Sequence, residues 1–359
     1  MLACHTGTSS EDKRVRSMSS QKVSDSIPST DGKGLKVASL GGGHGLFQTL
    51  RAVRLLEPSS IDAIVTVADD GGSSGRIRRE LGHVPPGDLR MALAALAPFD
   101  DEGHIWERTL QHRFGGHGAL AGHAVGNLLI AGLFSTLGCE IKALDVVAKL
   151  IRAKGRVLPV CAEALGIAAE VSGLDDDPRI MREVRGQVAV ASTPGTVRRV
   201  RLIPERPRAT EEAIAAIKNA DVVTLGPGSW FSSVIPHLLT DGVPEALEET
   251  QAVRVIVLNL TAEPGETAGF SAERHLHILA QHAQSLRADI VMVEAQMLPN
   301  SADRKHLERA AQALGARVAF HDLSEVDQHG QVVHRHDPEK LARALRIEVD
   351  REKAMDTSS

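Results

Sequence analysis

The sequence predicts an α/β protein: a Rossmann-like, mostly parallel sheet with helices on both faces and a small β-rich insertion. Three observations lead there. Short β-branched runs alternate with helix-period stretches, the pattern of βαβ units. Glycine-rich loops follow predicted strands twice, at Gly41 and again at Gly226. Hydrophobic residues make up 42% of the 359, enough for a sizeable core, and with aromatics at 3% that core must rest on Val, Ile, Leu and Ala.

Residues 1–34 are rich in Ser, Thr, Asp and Lys and carry almost no large apolar groups. Such a segment cannot bury enough surface to offset its ordering entropy, so a disordered N-terminal tail is expected, with Met18 as an alternative start. One Rossmann-like domain is expected over 35–349, and a loose tail over 350–359. Within the domain, 36–40 reads as the first strand. A helix over 46–56 follows, with Leu46, Leu50, Val53 and Leu56 at helical spacing. Residues 61–67 form an apolar second strand. Asp88 reads as the N-cap of a helix over 89–97 that Pro98 closes. An apolar helix spans 128–137. A β-like middle over 156–160, 167–171, 187–191 and 196–203 reads as an antiparallel addition. The α/β rhythm then resumes, with a helix over 211–220 and strands over 221–225, 253–260, 288–293 and 316–320.

Several function classes are disfavoured. A formal charge of −5 and scarce aromatics argue against a nucleic-acid partner. Cys4, Cys139 and Cys161 form no CxxC pair and read as reduced thiols of a cytoplasmic protein. No run approaches the roughly 18 apolar residues of a membrane span, and the start lacks the apolar region of a signal peptide. The histidines His321, His329, His334 and His336 make no HExxH pattern and read as surface residues.

Chemistry concentrates at successive strand ends. In Gly41-Gly42-Gly43-His44-Gly45 the glycines let backbone N–H groups approach an anion, and a following helix dipole favours phosphate. A tight turn with close packing explains the same residues equally well, and the run is neither a dinucleotide fingerprint nor a Walker A loop. The loop over 69–76 places Asp69 and Asp70 where α/β sheets hold ligands. The two acids suit a ribose hydroxyl, Mg²⁺ beside phosphates, or a general base. Ser73, Ser74 and Arg76 add hydroxyls and a phosphate clamp, against the alternative of an Asx-type turn with a solvated arginine. The G-x-S-x-G spelling from Gly71 to Gly75 invites a serine-hydrolase reading. That motif needs its serine directly at the strand-to-helix turn, and here both acids intervene.

Asp88 is either a helix cap or a ligand contact, and Arg90 projects from the same turn. His123 and Asn127, near the start of the apolar helix, are either buried structural groups or ligand contacts. Gly226, Gly228 and Ser229 repeat the first loop's logic in the second half. Asn259, with Leu260, Thr261 and the 264–267 segment, supplies polar groups at another strand end.

Taken together, the runs GGGHGL, IVTVADDGGSSGRIR, PPGDLR, QHRF, GHAVGNLL, GRVLP, LGPGSWFSSVIPHLL, PGET and HRHD resemble the gluconeogenesis factor (YvcK-type) family. That family sits within the CofD-like superfamily, which includes 2-phospho-L-lactate transferase. The resemblance implies a cytoplasmic protein that binds a UDP-sugar, notably UDP-N-acetylglucosamine, and supports cell-wall synthesis and cell shape during gluconeogenic growth. It implies a UDP-sugar role for Arg335 and, from the transferase branch, a divalent metal such as Mg²⁺ on Asp69 and Asp70. A homodimer and regulators of cell-wall synthesis are the protein partners it suggests. The alternative it carries is a Mg²⁺-dependent transferase of a phosphate- or nucleotide-linked substrate. The chain departs from the family pattern at His44, where threonine is usual, at Pro338, where some relatives carry a phosphorylatable threonine, and at Trp230-Phe231, which lack the usual aromatic hydroxyl.

Overall fold

The computed structural model describes residues 34–177, 179–261, 267 and 270–356. The tail expected over 1–34 therefore lies, except for Gly34, outside the described residues, as does most of the 264–267 segment.

The chain begins with β1 (Lys36–Gly41), α1 (Gly43–Arg54) and β2 (Ser60–Val65). Five helices follow: α2 (Gly72–Leu81), α3 (Gly87–Leu96), α4 (Asp101–Gln111), α5 (Val125–Leu137) and α6 (Glu140–Leu150). Then come β3 (Arg156–Pro159), β4 (Gly166–Ser172), β5 (Met181–Arg185), α7 (Gln187–Ala191) and β6 (Thr196–Ile203). The second half runs through α8 (Glu211–Asn219), β7 (Val222–Leu225), a π-helical turn over Trp230–Val234, α9 (Ile235–Leu238) and α10 (Val243–Glu249). It continues with β8 (Val253–Val257), α11 (Ala272–His282), β9 (Ile290–Glu294), α12 (Ser301–Gln312) and β10 (Arg317–His321). The hairpin β11 (Ser324–Val326) and β12 (Val332–His336) precedes α13 (Pro338–Asp356).

The main sheet has seven strands in the order β10-β9-β8-β7-β1-β2-β3, all pairs parallel. Its inner strands are buried on both faces, which is why they read as continuous apolar runs in the sequence. The order reverses between β1 and β7. Chain growth moves one way from β1 through β2 to β3 and the other way from β7 to β10, so right-handed crossovers put α1 and the crossover helices α10, α11 and α12 on opposite faces. Accordingly α1 packs with α3 and α13, while α8 packs with α10. In register, Leu40 lies beside Leu225, so Gly41 and Gly226 leave the sheet side by side. A buried hydrogen bond from Thr224 Oγ1 to Ser39 Oγ, 2.9 Å, ties the two strands just before that point.

The insertion is the antiparallel sheet β5-β4-β6. Two expectations about this region are corrected. Residues 156–160 belong to the main sheet, as β3 beside β2. Residues 187–191, whose alternation suggested a strand, form the short helix α7. Gly186, at φ +99, turns the chain there, and Asp70 accepts the first helical N–H groups, so the segment closes as a helix. Of the tail expected over 350–359, residues 350–356 are helical instead, because α13 continues to Asp356, and 357–359 lie outside the described residues. Arg317 ties that helix to β10 through Glu348 and Glu352, giving its last turns a partner the sequence pattern does not show.

Candidate functional site: a double cleft at the switch point

The two glycine loops meet where the strand order reverses. A Cβ on Gly45 would stand 2.1 Å from the Pro227 carbonyl oxygen and 2.8 Å from Gly228 Cα. The packing arm of the phosphate-versus-packing alternative therefore holds at Gly45. Gly45 is needed for backbone contact, while Gly42 and Gly43 form the extended lead-in and first turn of α1. Asn259 fixes the second loop: its Oδ1 accepts from Gly228 N at 2.8 Å and its Nδ2 donates to Gly228 O at 2.9 Å.

Two adjoining cavities flank this junction and share His44, Gly45 and Gly228 in their walls. The smaller, about 300 Å³, is lined by Gly42, Gly43, Asp69, Asp88, Ser229, Ser232 and Ser233, among others. The larger, about 500 Å³, is bounded by Gln48, Asn259, Thr261 and the hairpin residues His334, Arg335 and His336. Each falls in the size range of small-molecule sites, roughly 300–1,000 Å³.

The acidic pair differs from the one the sequence suggested. Asp70 turns away from the cavities: its Oδ2 accepts from Gln187 N at 2.9 Å and its Oδ1 from Val188 N at 3.0 Å, holding the start of α7. The carboxylates that face the smaller cavity are Asp69 and Asp88. Asp69 Oδ1 accepts from Gly71 N at 2.9 Å, and Ser74 bonds it while accepting from Gly87 N at 2.8 Å. Asp88 is not the N-cap of its helix, because α3 starts at Gly87 after Pro86, which leaves its carboxylate free to accept from Gly43 N. Burial, and then the nearby Asp69, push the Asp88 carboxyl up to about 7. Burial also raises Asp69. Arg90 is buried beside them, and desolvation together with Arg113 brings it down to about 10.

The remaining residues expected at the site form its support. The segment read as a loop becomes helical at Gly72, so Ser73 and Ser74 lie in the first turn of α2. Ser73 Oγ is buried, 3.0 Å from His123 Nδ1, and receives Asn127 Nδ2 at 3.0 Å. This cluster fastens α2 to α5 and lines neither cavity. Burial, and then Arg76, hold His123 below the usual imidazole range. Arg76 donates to Ala121 O at 2.7 Å, closing the loop before α5. Gly226, at φ +76, sets the turn out of β7. Trp230 and Phe231 are fully buried, with Trp230 Nε1 on His275 O at 3.0 Å, so the missing aromatic hydroxyl bears on the core beneath the cleft.

Four contributors escaped the sequence. Ser232 and Ser233 reach the smaller cavity because the chain after Ser229 winds as a π turn. Gln187 arrives from the insertion through the Asp70 cap. Glu325 forms a bidentate ion pair with Arg335. Among these only the serines had a local signal, their place in the run after Gly228. His336 also differs from expectation: it is buried, pushed down by that burial to about 4, and its Nε2 has no hydrogen-bond partner among the described residues.

A Rossmann-type parallel sheet with glycine loops and acids at its switch point defines an α/β protein with a cleft where such folds place ligands. Within that class, the family model described as 2-phospho-L-lactate transferase CofD matches residues 37–338, and the chain belongs to this family. A Mycobacterium leprae protein named "Putative gluconeogenesis factor" is 58% identical, over 86% of this chain and 84% of that one. The "Gluconeogenesis factor" of Bacillus subtilis is 35% identical, over 86% and 96%. A crystal structure of a UPF0052-family protein from Bacillus halodurans superposes with a TM-score of 0.76 at 33% identity, covering 88% of this chain and 99% of that one. Among the described residues no helix is long and apolar enough to cross a membrane.

Proposed function

We propose that the protein is a gluconeogenesis factor that binds a UDP-sugar, UDP-N-acetylglucosamine in the first instance, in this double cleft. The carrying observation is the junction itself: two cavities that share His44, Gly45 and Gly228, one edged by hydroxyls and the other by Arg335. The diphosphate spans the junction, where the start of α1 favours negative charge. The nucleoside and the sugar then occupy a cavity each. As a ligand sensor in the cytoplasm, the protein reports nucleotide-sugar supply to cell-wall synthesis and cell shape, through contacts with regulators of that synthesis or as a homodimer. Calorimetry with UDP-N-acetylglucosamine tests the reading. Saturable binding at micromolar to millimolar ligand is expected, and no heat at millimolar ligand sinks it.

A second reading, a Mg²⁺-dependent transferase of a phosphate- or nucleotide-linked substrate, is favoured by one observation. Asp69 and Asp88 both face the smaller cavity, and one of them is held near neutrality. Mg²⁺ in phosphate sites commonly takes one or two carboxylates and completes its shell with substrate oxygens and water. The Asp69–Asp88 pair suits that role. Asp70, with both oxygens on helix N–H groups, does not. Bound Mg²⁺ would neutralise charge on the transferring phosphate. Turnover of a nucleotide-linked donor that requires Mg²⁺ and is lost in Asp69→Asn would establish it. Absence of turnover with every donor that binds would leave the sensor alone.

A further inference from the structure

Arg335 is the one Lys or Arg among the described residues lining the larger cavity. Its charge is already matched. Nε and Nη2 of Arg335 meet the two carboxylate oxygens of Glu325 across the β11–β12 hairpin, the fork-to-fork geometry that a guanidinium offers equally to carboxylate and phosphate. We propose that Glu325 is a built-in competitor of the ligand's anionic group for Arg335, so that ligand phosphate gains the arginine only against this carboxylate. The inference rests on the UDP-sugar reading above for the identity of the ligand, but not for the competition itself.

Three further observations support it. The hairpin does not depend on the pair. Glu294 Oε2 accepts from Leu323 N and Ser324 N, both at 2.8 Å, and from Ser324 Oγ at 2.7 Å, anchoring the start of β11 to the end of β9. Lys340 Nζ adds a bond to Ser324 O at 2.8 Å. The pair is also open to solvent, 52% exposed on Arg335 and 28% on Glu325, so it contributes little stability and is exchangeable. Finally, Arg335 and Arg51 both hold the Glu325 carboxyl below its usual range, the hydrogen bonds from Arg335 being the larger cause. Glu325 therefore stays ionised at neutral pH, and an arriving anion, not a change of pH, is what displaces it. The arrangement sets a threshold: weakly charged ligands leave the pair closed, whereas a diphosphate competes for it.

The test uses the full chain with two probes, inorganic pyrophosphate and UDP-N-acetylglucosamine, titrated into wild type, Glu325→Gln and the double variant Glu325→Gln/Arg335→Gln. Removing the competing charge is expected to tighten pyrophosphate and UDP-N-acetylglucosamine binding by about three- to tenfold, with a gain that shrinks at high salt. The double variant should lose that gain, and the unfolding temperature of Glu325→Gln should match wild type. Equal or weaker binding of a probe that wild type does bind overturns the competition, as does a gain that persists without Arg335. If pyrophosphate gains while UDP-N-acetylglucosamine binds neither protein, the competition stands and the UDP-sugar reading falls. If UDP-N-acetylglucosamine binds both proteins equally, the reverse holds. If no probe binds either protein, both fall.

Discussion

Gly45 lies under the carbonyl oxygen of Pro227 so closely that a Cβ at position 45 would stand 2.1 Å away from it. This contact joins the two glycine loops into one floor beneath both cavities. The obstructing atom is backbone, so Gly45→Ala must push the loops apart. A loss of about 2–3 kcal/mol is expected, the upper range for overpacking, read as a fall of several degrees in Tm. Unchanged Tm would mean that the loops do not share this contact in solution.

Asp88, half-buried in the wall of the smaller cavity, gives a pH signature. Its carboxyl is pushed up to about 7 in the fold, well above the ordinary aspartate value near 3.8, so the folded state keeps a proton that the unfolded chain releases. The stability this group contributes is full below about pH 4 and is lost as pH rises through about 7. Asp88→Asn should therefore stabilise the protein at pH 8 by an amount on the order of 2–4 kcal/mol, shrinking to nothing near pH 4. Denaturant unfolding at pH 8, 6 and 5 checks this. A gain independent of pH, or a loss at pH 8, would show that Asp88 is not held protonated by burial.

Asp69 and Asp70 are neighbours in sequence with separate duties. Asp70→Ala removes the acceptor for the first N–H groups of α7 and should cost about 1 kcal/mol, as a lost helix cap does. Any Mg²⁺ dependence of ligand binding should survive it and disappear in Asp69→Asn. A folded Asp70→Ala protein that has lost its Mg²⁺ dependence would reverse this assignment.

Arg335 supplies the positive charge of the larger cavity. Arg335→Ala should weaken UDP-N-acetylglucosamine binding by about tenfold or more, the worth of charge-assisted hydrogen bonds. Calorimetry on the folded variant decides, and unchanged affinity would remove Arg335 from the site.

Much of this was legible in the sequence because it follows from local pattern. The buried parallel strands announce themselves as apolar runs. The glycine loops at Gly41 and Gly226 mark the ends of the two strands that prove to be neighbours in the sheet. What stayed hidden depends on contacts across the chain. Asp70 looked like the partner of Asp69 because they are adjacent, yet a helix more than a hundred residues later claims its carboxylate. Asp88 looked like a cap because it precedes an apolar helix, but the helix starts one residue before it, and its charge meets Gly43 and Asp69 instead. The alternating run at 187–191 carries a strand's period, and only Gly186 and the Asp70 carboxylate turn it into a helix. His336 sits in a histidine-rich stretch that resembles surface, and is buried because the hairpin folds over the end of β9.

On the proposed reading, one ligand spans both cavities across the Gly45–Gly228 junction. The most direct measurement is a crystal structure of the protein with UDP-N-acetylglucosamine and Mg²⁺. The diphosphate is expected over Gly43 to Gly45 and Gly228, with Arg335 reaching the ligand and any metal touching Asp69 and Asp88. A ligand bound away from this junction, or a metal held by Asp70, would contradict it.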